Sequence, residues 1–273
     1  MKIGRKFMWL VLSALLVTQV YPLVWLLLYS LKSNEEILSG GILKFPKALK
    51  WSNYHDAIYT GNYGQYFTNS VFVTAVTVLF TLLLASMVAY AIARFDWKWG
   101  NPVLLIFIIG MMIPLQSTLL PLVVVFKKIR ILDSYISLLL PYVAFALPIA
   151  VFVLATFFKS IPREMEESAS IDGASVNRTF LSIIVPLAVP PLMTVTILTF
   201  IPTWNEYIMA ATFISTDSLK TLPFGVYSFV GKFTTNFGAI GAYLVLASLP
   251  VILVYFLLSE KIAKGMVAGA VKG

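Results

Sequence analysis

Long apolar runs separated by short polar segments dominate this chain of 273 residues, and six of them qualify as membrane spans. They cover approximately Phe7 to Leu31, Phe67 to Ala93, Pro102 to Val125, Ile136 to Phe158, Ile183 to Phe213 and Phe237 to Ser259. A hydrocarbon core of about 30 Å is crossed by roughly 20 helical residues at about 1.5 Å each. The pattern therefore predicts an all-α membrane protein with six transmembrane helices. The fifth run is long for one span and carries Pro186, Pro190, Pro191 and Pro202, which predicts a kinked helix end or an interfacial turn at its start. The first run follows Lys2, Arg5 and Lys6 like a signal peptide, but it is too long and meets no small-residue cleavage site, so an uncleaved helix is expected. Ala85, Ala89 and Ala93 recur every four residues on the second run, a spacing that lets another helix approach closely.

Composition agrees with a membrane as solvent. The chain is 59% hydrophobic and 12% charged, with a mean hydropathy of +0.89, too apolar to bury itself in water. It has no cysteine and a single histidine, His55, which removes disulfides, zinc fingers, thiol nucleophiles and histidine-based triads. His55 falls in a loop and reads as a surface residue. The net charge of +8 is scattered between the spans, which suits anionic lipid headgroups and forms no stripe for nucleic acid. An even number of spans places both termini on one side. Lysines and arginines divide nearly evenly between the two sides, but the basic flank of the first helix favours cytoplasmic termini, while "KKIR" at 127–130 argues the other way.

One polar segment stands apart. "IPREMEESASIDGASVNRTFLSIIVP", residues 161–186, holds four of the chain's twelve acids. Pro162 suits the first position of a helix, and Glu164, Glu166 and Glu167 suit the positive end of its dipole. Gly173 suits the left-handed turn that ends it. Ser168, Ala169, Ser170 and Ala174 are small enough for close approach, and Met165 and Ala169 give a modest apolar stripe. A helix this short and polar lies on a surface or docks in a cleft.

The spacing resembles the EAA motif of ATP-binding cassette importer permeases, E-A-A-x3-G-x9-I-x-L-P. Here Glu167, Ser168 and Ala169 are followed by Gly173 and then by Ile183, Ile184, Val185 and Pro186, with Ser168 for alanine and Val185 for leucine as size-conserving departures. "NSVFVTAVTVLFTLLLASMVAYAIAR", "IVPLAVPPL" and "WNEY" are similar to the carbohydrate-uptake permeases of that family, over nearly the whole chain. The resemblance implies a MetI-like permease fold: a first transmembrane helix and outer loop over 1–66, and a permease core over 67–273 with a cytoplasmic coupling helix at about 163–178. It implies a bacterial inner-membrane subunit of an importer for a carbohydrate, an oligosaccharide or sugar derivative. Its partners would be a second permease chain, two ATPase subunits and an extracytoplasmic solute-binding protein. No cofactor would be bound by this chain, ATP and Mg being held by the partner ATPase. For the coupling contact it implies polar or capping roles for Glu167 and Asp172, packing at the contact for Ala169, and the sharp turn for Gly173, with Ser168 and Ala174 beside them.

"TWNEY" at 203–207 puts an acid inside an apolar run, which is costly unless it faces a partner or an aqueous path. Trp204, Asn205, Glu206 and Tyr207 fit either a sugar contact on the translocation path or an interfacial anchor with a snorkelling acid. Two other classes fit less well. A secondary transporter calls for intramembrane acids and an inverted repeat, but Glu206 is the only carboxylate inside the spans and no repeat is visible. A membrane enzyme needs a second cluster or a histidine beside Glu164, Glu166 and Glu167. The chain has no P-loop, so energy for transport would come from a separate ATPase.

Overall fold

The computed structural model describes residues 2–40, 44–231 and 234–270, with side chains described from residue 6 to residue 259. In chain order the helices are α1 (Lys2–Ser30), α2 (Asn34–Leu38), α3 (Ser52–Tyr59), α4 (Tyr63–Arg94), α5 (Gly100–Gly110), α6 (Leu115–Lys128), α7 (Tyr135–Ser160), α8 (Glu164–Ile171), α9 (Val176–Thr179), α10 (Val185–Leu187), α11 (Val189–Asn205), α12 (Ile208–Phe213) and α13 (Phe237–Ala270). A π-helical turn over Phe180–Ile184 joins α9 to α10. No strand occurs among the described residues.

Four stretches are single helices long and apolar enough to cross a membrane: Lys6–Ser30, Tyr63–Arg94, Tyr135–Ser160 and Phe237–Ser259. The third expected span is not one straight helix. It bends by 96° between α5 and α6, because Pro114 has no N–H to continue the ladder and drives the residue before it out of the helical region. The fifth run breaks near its start, as its prolines led us to expect, with a 75° bend at Ala188 between Val176–Leu187 and Val189–Asn205. Pro186 cannot donate to the carbonyl of Ser182, which accounts for the π-helical turn before it, and Pro190 and Pro191 restart the chain as α11.

The residues up to Phe67 pack with Leu222–Pro250 as one compact unit. Its centre is Tyr243, fully buried, whose hydroxyl donates to the carbonyl of Leu222 at 2.9 Å. Gly225 lies against this ring so closely that a Cβ would come within 2.0 Å of it. Asn53 donates to the carbonyls of Ser30 and Lys32, both at 2.8 Å, and so fastens α3 to the end of α1. The apolar side chains of α1 are exposed over most of its length, as a lipid-facing or partner-facing helix requires. His55 is exposed, 3.9 Å from Asp56.

Thr68–Thr221, with the residues from Val251 onward, form the second unit. Here α7 packs against α5 and α11. The core joins Ala85, Ala89 and Tyr90 of α4 to Ala150, Val151, Leu154, Ala155 and Phe158 of α7 and to Ile184, Ala188 and Val195. The alanine stripe is thus consumed by packing. Lys127 and Lys128 occupy the last turn of α6, where positive charge is favoured by the helix dipole, and this gives "KKIR" a local physical reason.

Asp133 ties the turn after α6 to the segment after α12. Its Oδ1 accepts from the backbone N–H groups of Ser215 and Thr216, each at 2.9 Å, and its Oδ2 accepts from Thr216 Oγ1 at 2.6 Å. The Thr216 hydroxyl first, then the two backbone N–H groups, hold this carboxyl below the ordinary carboxylate range. A depressed pKa contributes stability that is present above the ordinary value of 3.8 and lost as pH falls through the native value. Asp133→Asn, which tolerates the left-handed φ of +58° at this position, should therefore lower stability by about 1 kcal/mol at neutral pH. The deficit should vanish in strong acid, as thermal unfolding of wild type and variant at matched pH will reveal.

Candidate functional site

The acidic segment folds as a helix, a turn and a second short helix. Arg163 is the N-cap of α8, so Pro162 precedes the helix and is not its first residue. Glu164, Glu166 and Glu167 occupy the first turn, at the positive end of the dipole. At the other end, Ala174 N–H donates to the carbonyl of Ala169 at 2.9 Å and Gly173 N–H to that of Ser170 at 3.0 Å. This six-to-one, five-to-two pair is a Schellman motif, with Gly173 as its left-handed residue at φ +76°. Ser175 then caps α9 by accepting from Arg178 N–H.

A Cβ on Gly173 would meet nothing within 4 Å, so a substitution there acts through the backbone alone. Gly173→Ala should cost about 1–2 kcal/mol of local strain. Gly173→Val, β-branched as well, should still insert in the membrane but lose uptake; wild-type uptake by that variant would contradict a need for this turn.

The expected site residues divide by direction. Glu167 and Asp172 are exposed and make no side-chain hydrogen bond or ion pair among the described residues. Ser168 is exposed, its hydroxyl donating back to the carbonyl of Glu164 at 2.7 Å. Ala174 is half-buried. Ala169, expected to pack at a partner contact, is 7% exposed within its own chain. Its small size seats α8 and leaves the outward face to others. The residue missed by sequence reasoning is Ile171, 87% exposed at the end of α8, with Met165 also exposed. An isoleucine at the end of a largely polar helix was the signal available for it.

The other expected cluster lies where α11 ends. Glu206 is in extended backbone between α11 and α12. Its Oε1 accepts from Met209 N–H at 2.8 Å; its Oε2 accepts from Ala210 N–H at 3.1 Å and from Tyr142 Oη at 2.6 Å. The carboxylate thus satisfies donors in the first turn of α12, which have no partner within the helix. It does not stand free of its own chain. Trp204 is buried and stacks on Phe200, with ring centroids 5.6 Å apart, so its face is not presented for a sugar. Asn205 is exposed and donates to its own helix at the carbonyl of Ile201. Tyr207 is half-buried beside it. Tyr142, on α7, was not foreseen; nothing in its local sequence marks it, because α11 and α7 meet only in the fold.

Glu206 and Tyr142 line a 210 Å³ cavity with Thr199, Thr203, Phe145 and Leu115. The Thr199 hydroxyl is buried and has no hydrogen-bond partner among the described residues.

Comparison with known proteins places these features in context. Residues 81–267 match the family described as binding-protein-dependent transport system inner membrane component. Both α8 and the end of α11 lie inside the match. The chain is 33% identical to the sulfoquinovosyl glycerol transport system permease protein SmoH of Agrobacterium fabrum, over 99% of this chain and 95% of that one. It is 30% identical to the trehalose/maltose transport system permease protein MalG of Thermococcus litoralis, over 97% of this chain and 96% of that one. Its fold is similar to the crystal structure of a bacterial ABC transporter involved in import of the acidic polysaccharide alginate, with a TM-score of 0.81 and 21% identity over 95% of this chain and 96% of that one. A helical chain with several apolar spans, a short polar helix between two of them and a family match over most of its length belongs to the inner-membrane permease subunits of binding-protein-dependent ABC importers.

Proposed function

We propose that this chain is one permease half of an ATP-driven importer for a carbohydrate, with α8 as the contact that an ATPase subunit grips. The observation that carries the reading is the exposure of Ile171 on a helix too short and polar to enter the membrane. An apolar side chain held out from a polar helix is suited to a socket in a soluble partner. Glu167 and Asp172, exposed on this helix, supply polar contacts around it, while Ser168, Ala169, Gly173 and Ala174 shape and seat the helix. A cytoplasmic α8 puts both termini in the cytoplasm of a bacterial cell. Residues 67–273 then act as the permease core and 1–66 as an added helix and outer loop.

In this reading the chain performs no bond chemistry. ATP and Mg are held by two partner ATPase subunits, a second permease chain completes the path, and an extracytoplasmic binding protein delivers the solute. ATP binding draws the coupling helices together and opens the path outward; hydrolysis resets it. A sugar is supported by the sugar-derived solutes in the names of SmoH and MalG, and by the four polar side chains, Glu206, Tyr142, Thr199 and Thr203, set among the apolar ones that line the cavity. At 210 Å³ this cavity is smaller than the roughly 300–1,000 Å³ of ligand pockets. This chain would therefore supply one wall of a path that the partner permease completes.

The test is reconstitution of the complete complex in proteoliposomes, with ATP hydrolysis and uptake measured across a panel of sugars. Stimulation by one sugar class is expected. Failure of the chain to co-purify with any ATPase would overturn the reading, and uptake that stops on collapse of the proton gradient while ATP is maintained would turn it toward a secondary transporter.

A further inference from the structure

Besides the packing of buried Ala169, α8 makes ionic contacts to a different span. The last residue of α4, Arg94, places Nε 3.1 Å from Glu166 Oε2, with the two side chains 3% and 19% exposed. Arg94 also donates from Nη2 to the carbonyl of Pro162 at 3.4 Å. Two residues beyond it, Asp96 takes both arms of the Arg163 guanidinium, Nη2 to Oδ1 at 3.2 Å and Nη1 to Oδ2 at 3.3 Å. One pair is buried and the other exposed.

The signs alternate. Arg94 and Asp96 on the α4 side face Glu166 and Arg163 on the α8 side, so a slip by one rung sets Arg94 against Arg163 in one direction or Asp96 against Glu166 in the other. Like charges brought together in this way exclude the wrong seating. Buried ion pairs add little net stability over apolar packing, and defining a unique arrangement is their better-attested use. The span they select reaches the core through Ala85, Ala89 and Tyr90.

We propose that Arg94–Glu166 and Asp96–Arg163 form a two-rung ionic latch that makes α8 and the end of α4 one mechanical body, so that displacement of α8 is delivered to α4 as well as to α7. These four are positioning residues, and their role rests on the reading of α8 as the ATPase contact. The latch predicts that uptake per ATP, not assembly, depends on the rungs. It also predicts that α4 and α8 need no relative movement during transport.

The experiment uses the complete complex in proteoliposomes. Because this chain has no cysteine, Asp96→Cys with Arg163→Cys creates its only thiols, which a bismaleimide spacer can bridge. Bridging should leave uptake within about twofold of the unbridged wild type. Asp96→Ala and Arg163→Ala should retain the ATPase and hydrolyse ATP while losing uptake per ATP on the order of fivefold, the scale of an exposed pair. The exchange Asp96→Arg with Arg163→Asp should restore the ratio. Glu166→Gln, which leaves the buried Arg94 uncompensated, should lose about tenfold or more. Uptake abolished by the bridge, or a wild-type ratio in both Arg163→Ala and Glu166→Gln, overturns the latch alone. A wild-type chain that co-purifies with no ATPase instead overturns the reading of α8, and the latch with it.

Discussion

Glu206→Leu should unfold at a distinctly lower temperature than wild type. The carboxylate accepts from Tyr142 and from the N–H groups of Met209 and Ala210. Leucine fills the space but accepts nothing, and donors buried without partners cost about 1–3 kcal/mol apiece. Allowing for partial relaxation, the loss should be about 3 kcal/mol, or roughly 10 °C in the unfolding midpoint of a chain this size. Glu206→Gln keeps one strong acceptor and should lose less than half of that. Thermal unfolding of the three proteins in detergent decides the matter: an unshifted midpoint in Glu206→Leu would show that the carboxylate does not hold α12. The same variants separate structure from selectivity. A glutamine variant that is stable but changed in substrate range would place Glu206 on the solute path, and one unchanged in both would leave it a cap.

Ile171→Asp is expected to abolish uptake without disturbing the fold. The side chain is 87% exposed, so its replacement removes almost nothing from the chain's own packing, and surface changes of this kind stay within about 0.5 kcal/mol. Buried in a partner's socket, an isoleucine contributes about 1.5–3 kcal/mol, and an aspartate there adds the cost of an unpaired charge. Affinity for the ATPase should fall by more than about a hundredfold. Co-purification of ATPase with tagged wild type, Ile171→Leu and Ile171→Asp measures it. Leucine should behave as wild type; retention of the ATPase by the aspartate variant would remove Ile171 from the contact.

Different parts of the molecule were legible to different degrees. Helices were legible wherever local chemistry sets them. The apolar runs mark four single-helix spans, Gly173 ends α8 at positive φ, and the prolines after Ile184 break the fifth run. The 96° bend before Leu115 was just as local, since Gly110 and Pro114 were in view. It was passed over because hydropathy alone does not register direction. Within the site, Glu206 and the acidic segment were found because polar groups are conspicuous in an apolar chain. Their partners were not, since Tyr142, Arg94 and Asp96 are far away along the chain and ordinary in their surroundings. Ala169 and Ile171 show the same limit within one helix. Both belong to α8, and only the docked helix reveals which of them is covered.

The sequence by itself determined a helical membrane protein, the glycine stop of its polar helix and a motif resemblance to its family, because apolar runs, a left-handed cap and a short motif are each carried within a few turns of chain. The tertiary structure alone decided that Glu206 answers Tyr142, that α8 is tied to α4 by two ion pairs, and that Ile171 faces outward while Ala169 faces in. Those outcomes depend on which distant charges and donors share a space, and pairing across the fold is a property of packing that no local stretch carries.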